Sequence, residues 1–160
     1  MAYDDNPFPN DPDRREIWDF MVRKDIDAYL AKDWSMVADD FIAEGFMGIQ
    51  ANRSGNPDSW VLGFPNLEAY RDGWLAGTID QADFAEELRP AIFRCTFLRD
   101  IEIVGDKALA HKKFDGRITL TKGGFMEFRW QSIAYLRKQP DRWRAFGFTG
   151  YMPNPISFQG

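Results

Sequence analysis

Residues Phe125 to Tyr151 read FMEFRWQSIAYLRKQPDRWRAFGFTGY, and this stretch decides the fold. Two aromatic-rich runs flank Lys138 to Arg142, a polar turn with Pro140 and Asp141 at its centre. Both runs alternate with a period of two and favour Trp, Phe, Tyr and Ile, the signature of strands. Together they predict a long antiparallel hairpin. One face of the first run carries Met126, Phe128, Trp130, Ala134 and Leu136. The other begins polar, with Glu127, Arg129 and Gln131, and ends with Ile133 and Tyr135. A strand that covers a core on one side alone is polar throughout on the other. The mixed face therefore points to a curved sheet that packs at one end and lines a cavity at the other. An ordinary two-sided sheet core is the competing reading, and the register across the turn stays open.

Upstream, a period of two extends from Ala91. Ala91 to Val104 reads as one strand with a bend midway, and it contains Cys95. Gly105-Asp106 marks a tight turn, and Ala108 to Leu120 is the partner strand. Lys122-Gly123-Gly124 turns the chain into the long hairpin. His111 shares a face with Lys113, Asp115, Arg117 and Thr119, a face that is either solvated or pocket-like. Arg94 alternates with Ile92 and Thr96; it either meets the same cavity or forms a surface salt bridge. Glu127 and Arg129 share a strand face, where they neutralise each other or meet a ligand.

The first part of the chain is helical. Met1 to residue 11 reads as an extended arm, with Phe8 as its anchor. Asp11 caps a helix that starts at Pro12 and runs to about Ala31. Trp18, Met21, Val22, Ile26 and Tyr29 fall on one face of it. Asp25 sits in the middle of that face. An acid there is costly unless it is paired or faces a cavity. It is therefore either a buried acid bonded to an Arg or a backbone amide, or a pocket carboxylate. Asp33 caps a short second helix with Trp34, Val37, Ala38 and Phe41 inward, ended by Gly45. Phe46 to Ala51 reads as a short strand. Asn52 to Asn66 reads as a long loop, and its Trp60, Val61, Leu62 and Phe64 either form a lid or plug the rim of the core. Asn66 caps a third helix with Leu67, Tyr70, Trp74, Leu75 and Thr78 inward. Gln81 to Leu88 is a polar connector. This order is α+β, with helices segregated to one face of a sheet.

At 160 residues, with 44% hydrophobic and 16% aromatic side chains, one domain is the expectation. It spans residues 12–152, with a tail over 153–160. A formal net charge of −5 argues against nucleic acid or an anionic membrane as partner. One Cys and one His rule out a disulfide within the chain and a zinc cluster of His and Cys ligands, so no metal or cofactor is expected. Cys95 reads as a small core residue. Without a leader pattern or a bilayer-length apolar run, the expected location is cytoplasmic.

Two patches resemble the nuclear transport factor 2-like superfamily, in particular its SnoaL-like members. One is Tyr29 to Trp34 (YLAKDW), followed by Val37, Asp40-Phe41 and Phe46. The other is Ser132 to Arg137 (SIAYLR), followed by Asp141 to Trp143 (DRW). The resemblance covers about Pro12 to Met152. It implies a cone-shaped α+β barrel: three N-terminal helices packed in a strongly curved antiparallel sheet, with an apolar pocket at the open end. It also implies homodimers formed through the sheet. Enzymes of the superfamily include isomerases, dehydratases, cyclases and epoxide hydrolases acting on small organic molecules; others only bind. Where steroid-isomerase-like members place a catalytic Asp, this chain has Ile49 and Gln50. Where they place a first-helix Tyr, it has Asp25. Dehydratase-like members use two His, and this chain has His111 alone. The sequence thus points to a pocket protein for a small apolar molecule, either a lyase, isomerase or hydrolase working by acid–base chemistry, or a binding or dimerisation module. Asp25 is the expected acid or base, with Tyr29 or His111 assisting. Trp18, Trp60, Tyr70, Trp74, Arg94, Glu127 and Arg129 are the expected substrate contacts.

Overall fold

A computed structural model describes residues 3–156. Met1, Ala2 and residues 157–160, the outer parts of the expected arm and tail, lie outside the described residues. The expected hairpin is β5 (Phe125–Lys138) with β6 (Trp143–Pro153), paired antiparallel from Lys138↔Trp143 to Trp130↔Pro153. Before it come β3 (Thr96–Val104) and β4 (Lys107–Thr119). Two short strands, β1 (Met47–Gln50) and β2 (Val61–Phe64), complete the sheet in the order β2-β1-β6-β5-β4-β3. Register shifts between Gln131 and Ile133, Tyr135 and Leu136, and Leu98 and Asp100 bend the long strands, as bulges do.

The sheet departs from the sequence reading in two places. It is mixed, because β1 runs parallel to β6, with Gly48 opposite Phe148. The supposed loop over 52–66 supplies β2, whose Phe64 pairs with Gly48 and Val61 with Gln50. Only four residues long, β2 carries too few side chains for a periodic signal.

The first helix follows the expected span but not a uniform winding. Asp11 caps α1 (Pro12–Trp18), accepting from the Arg14 N–H at 3.1 Å. A π-helical segment, Asp19–Lys24, leads into α2 (Asp25–Ala31), and Lys32 ends it in the left-handed region at φ +55°. Such segments are rare and concentrate at functional sites. The expected second helix is two 3₁₀ turns, Trp34–Met36 and Ala38–Asp40, the first capped by Asp33. α3 (Leu67–Ala76) begins at the Asn66 cap as expected, but Leu75 is exposed rather than inward.

The largest correction is α4 (Leu88–Cys95), which takes in the first five residues, Ala91 to Cys95, of the expected strand over Ala91–Val104. Leu88, Ala91, Ile92 and Cys95 are all buried, which is the i, i+3, i+4, i+7 stripe of a helix. Pro90 fits because it lies in the first turn, where no intrahelical N–H bond is required. Cys95 is thus a helix-end residue; burial pushes its thiol pKa up and keeps it in the protonated form.

Helices and sheet meet in a core that includes Trp18, Phe93, Leu98, Ile118, Leu136 and Trp143, with Phe8 packed against it. Polar ties hold the layers in place. The Trp143 indole N–H donates to Asp13 at 2.9 Å and its backbone N–H to Glu16 at 3.0 Å. Asp40, only 2% exposed, accepts from Arg142 at 2.7 Å and pairs with Lys24.

Candidate functional site

Between the helices and the concave side of the sheet lies a cavity of about 570 Å³. The period of two aims its walls. On β5, the face with Met126, Phe128, Trp130 and Ala134 turns inward, and Ser132 joins it. On β4, Lys112 and Phe114 do the same. From β6 come Phe148 and Tyr151, and from α3 Tyr70 and Trp74. The aromatic rings contact one another. Phe114 stacks on Trp130 with centroids 4.4 Å apart, and Tyr70 meets Phe148 at 4.9 Å. Gly48 and Gly150 flank the Phe148 ring so closely that an added Cβ would lie 2.5 and 2.6 Å from it. The glycines therefore set where this wall stands.

A polar cluster centred on Asp25 breaks the apolar lining beside α2. Asp25, the first residue of α2, reaches the cavity after the π-helical segment. Its Oδ2 is 3.0 Å from the Lys112 ammonium, and its Oδ1 accepts from the Trp74 indole N–H at 3.3 Å. Lys112 also donates to the Met21 carbonyl at 2.6 Å. Its side chain is 12% exposed and that of Asp25 30%, so the pair is reachable from the cavity but poorly hydrated. Tyr29, one turn after Asp25, donates its hydroxyl to the Gly77 carbonyl at 2.6 Å.

Three cavity tyrosines are hard to ionise. Burial, then the charge of Asp25 and the neighbouring Tyr151, pushes Tyr29 up to about 12. Burial drives Tyr70 well above the usual phenol range, and Tyr151 and Asp25 add to it. Tyr151 is raised by burial and by Asp25. All three remain neutral hydrogen-bond donors at ordinary pH. Among the described residues, no group of three or more His, Cys, Asp or Glu side chains is placed to hold a metal ion.

No protein-family model matches the sequence, and no curated protein matches it. Solved structures do match its shape. An NTF2-like superfamily protein from Salmonella enterica serovar Typhimurium LT2 matches with a TM-score of 0.55 at 13% identity, over 91% of this chain and 92% of that one. An NTF2-like protein with a cystatin-like fold from Novosphingobium aromaticivorans matches with a TM-score of 0.52 at 16% identity, over 88% and 82%. Another protein from N. aromaticivorans, named provisionally as an aromatic ring hydroxylase, gives 0.53 at 16% identity, over 88% and 89%.

The chain has the NTF2-like fold. At these identities the likeness speaks for the fold alone.

Within the NTF2-like fold, the expected site residues separate into two groups. Asp25, Tyr29, Tyr70, Trp74 and, at its rim, Glu127 line the cavity. The others lie elsewhere. Trp18 is buried in the core beneath the Arg23 guanidinium. Trp60 donates its indole N–H to the Ser54 carbonyl, within its own loop, at 2.8 Å. Arg94 belongs to α4, not to a strand, and bonds to Glu86 and the Arg117 carbonyl, each at 2.9 Å. His111 sits on the face of β4 opposite to Lys112, because alternate side chains point to opposite sides. Glu127 and Arg129 do not neutralise each other. Glu127 touches the cavity rim but pairs with Arg117, and Arg129 pairs with Asp115, each across to β4.

Sequence reading missed Lys112, Tyr151 and Arg53. Lys112 had a usable signal. If His111, Lys113 and Asp115 share the wet face, then Ala108, Ala110, Lys112, Phe114 and Ile118 share the apolar one, and Lys112 is its only charge. Tyr151 and Arg53 had none: both adopt positive φ, +62° and +57°, so their placement follows from the bend of the backbone and not from alternation.

Proposed function

We propose that this chain is a SnoaL-like pocket protein that binds a small, largely apolar organic molecule and acts on it by acid–base chemistry, as a lyase, isomerase or hydrolase. The observation that carries this reading is the Asp25–Lys112 pair on the wall of an aromatic cavity. In such surroundings a carboxylate moves a proton with little competition from water. Asp25 takes the proton from a substrate C–H or O–H and returns it to a neighbouring atom. The Lys112 ammonium, fixed by the Met21 carbonyl, stabilises the oxyanion that develops beside Asp25. Tyr70 and Tyr151 contribute neutral hydroxyl donors, and Tyr29 positions the helix turn through Gly77. The Trp74 indole holds one Asp25 oxygen and so aims the other.

Residence in the cytoplasm and pairing of two copies through the outer face of the sheet belong to the same proposal. Among the described residues, no helix is long and apolar enough to cross a membrane. The outer face presents Tyr135 and Phe146 in ring contact. Light scattering reads the assembly directly, and a monomer mass ends that part.

The test of the chemistry is a panel of small aromatic ketones, hydroxyketones and epoxides, followed by mass spectrometry of the products. Asp25→Asn is expected to lower turnover at least ~100-fold while binding stays within a few-fold. Turnover that survives in Asp25→Asn overturns the assignment. A second reading, binding without chemistry, is favoured by one fact: both Asp25 oxygens already have protein partners. Ligand binding with no turnover in the wild type decides for it.

A further inference from the structure

Among the described residues, five charged side chains line the cavity: Asp25, Asp40, Arg53, Lys112 and Glu127. Four are compensated. Asp25 and Lys112 pair with each other, Asp40 with Lys24 and Arg142, and Glu127 with Arg117. Among the described residues, Arg53 has no carboxylate partner; its guanidinium lies over the Trp130 ring, 5.1 Å from the centroid. Among the described lining residues, Arg53 is therefore the charged group without an ion-pair partner, and it is an exposed residue at the mouth. The position is built rather than incidental. The Arg53 N–H donates to the Tyr151 carbonyl at 2.7 Å, and the Ala51 N–H to Gly150 at 2.9 Å, which fastens the loop to β6. Asn52 and Arg53 both hold left-handed backbone, φ +53° and +57°, and the Arg53 guanidinium lies over Trp130 of the lining.

We infer that the ligand is a planar aromatic acid, its rings among the aromatic side chains and its carboxylate held at the mouth by Arg53. This deepens the reading of the cavity as a small-molecule site and rests on it. A guanidinium on an aromatic face is pre-organised for a carboxylate, because stacking restrains the stem and leaves the planar fork of N–H donors free. Lys112 does not take this role, since its ammonium is already engaged by Asp25 and the Met21 carbonyl. The cavity's charged groups then do different work: Arg53 selects and orients the acid, while Asp25 and Lys112 are left to the rest of the ligand.

The experiment is calorimetric titration of the full chain with 2-naphthoate and with its neutral isostere 2-naphthamide. The wild type is expected to bind the acid about ten- to a hundredfold more tightly than the amide. Arg53→Gln keeps a polar side chain beside Trp130 and is expected to abolish that preference, weakening the acid far more than the amide. Arg53→Lys retains the charge and is expected to keep a preference for the acid. If the wild type binds both compounds equally, or Arg53→Gln still prefers the acid, the role of Arg53 is overturned and the cavity reading stands. If the wild type binds neither compound, the cavity reading fails as well.

Discussion

Raising the pH should destabilise this protein through the tyrosines of its cavity, and Tyr29 allows the effect to be worked out. Its hydroxyl is pushed from 10.0 to about 12, chiefly by burial. The neutral form is favoured in the folded state, so the stabilisation is complete below pH 10 and is lost as the pH climbs from about 10 to about 12. A shift of about two units corresponds to about 2.7 kcal/mol. Part of the ring is exposed, and screening brings this to about 2 kcal/mol. Tyr29→Phe isolates the contribution. It removes the hydrogen bond to the Gly77 carbonyl, so at pH 8 the variant should be about 1 kcal/mol less stable than the wild type. It also has no phenol to ionise at that position. By pH 11 about half of the linkage, ~1 kcal/mol, has been lost from the wild type alone, and the two proteins should have equal stability. Tyr70 and Tyr151 lower both curves together and cancel in the difference. Urea unfolding followed by tryptophan fluorescence at pH 8, 9, 10 and 11 measures it. A gap that stays constant from pH 8 to pH 11 would mean that Tyr29 ionises as freely folded as unfolded, and the picture of a poorly hydrated wall beside Asp25 would be wrong.

Two further outcomes follow from the packing. Asp40→Ala removes a buried carboxylate that joins Lys24 and Arg142; because both cations keep some contact with water, the cost should be about 2–3 kcal/mol in urea unfolding, less than for a fully buried pair, and a cost under ~1 kcal/mol would show that the tie contributes little. Gly48→Ala places a methyl group 2.5 Å from the Phe148 ring, so it should destabilise by about 1–3 kcal/mol and weaken naphthamide binding as the ring shifts into the cavity; unchanged binding would show that Phe148 does not shape the site.

Much of this architecture was legible in local pattern. The alternation of Met126, Phe128 and Trp130 identified a strand and its inward face, and Pro140-Asp141 identified the turn. Asp11, Asp33 and Asn66 each marked the start of a helical segment, because a side-chain oxygen at that position satisfies an orphan N–H. Asp25 stood out because a charge on an apolar helix face demands a partner. Local pattern failed where two periods fit the same residues. Over Leu88 to Cys95, apolar residues admit both a strand and a helix, and packing against the sheet selected the helix.

By itself, the sequence determined the α+β order, the long hairpin and the presence of an acid on the inner face of the first helix. Each of these is a matter of near neighbours, whose side chains report their own surroundings. Only the tertiary structure decided that the acid meets Lys112, that His111 faces away, and that the Arg53 guanidinium lies over Trp130. Those facts depend on which strand lies beside which and how far the sheet bends. Asp25 and Lys112 are 87 residues apart, and no local preference of either one specifies the other.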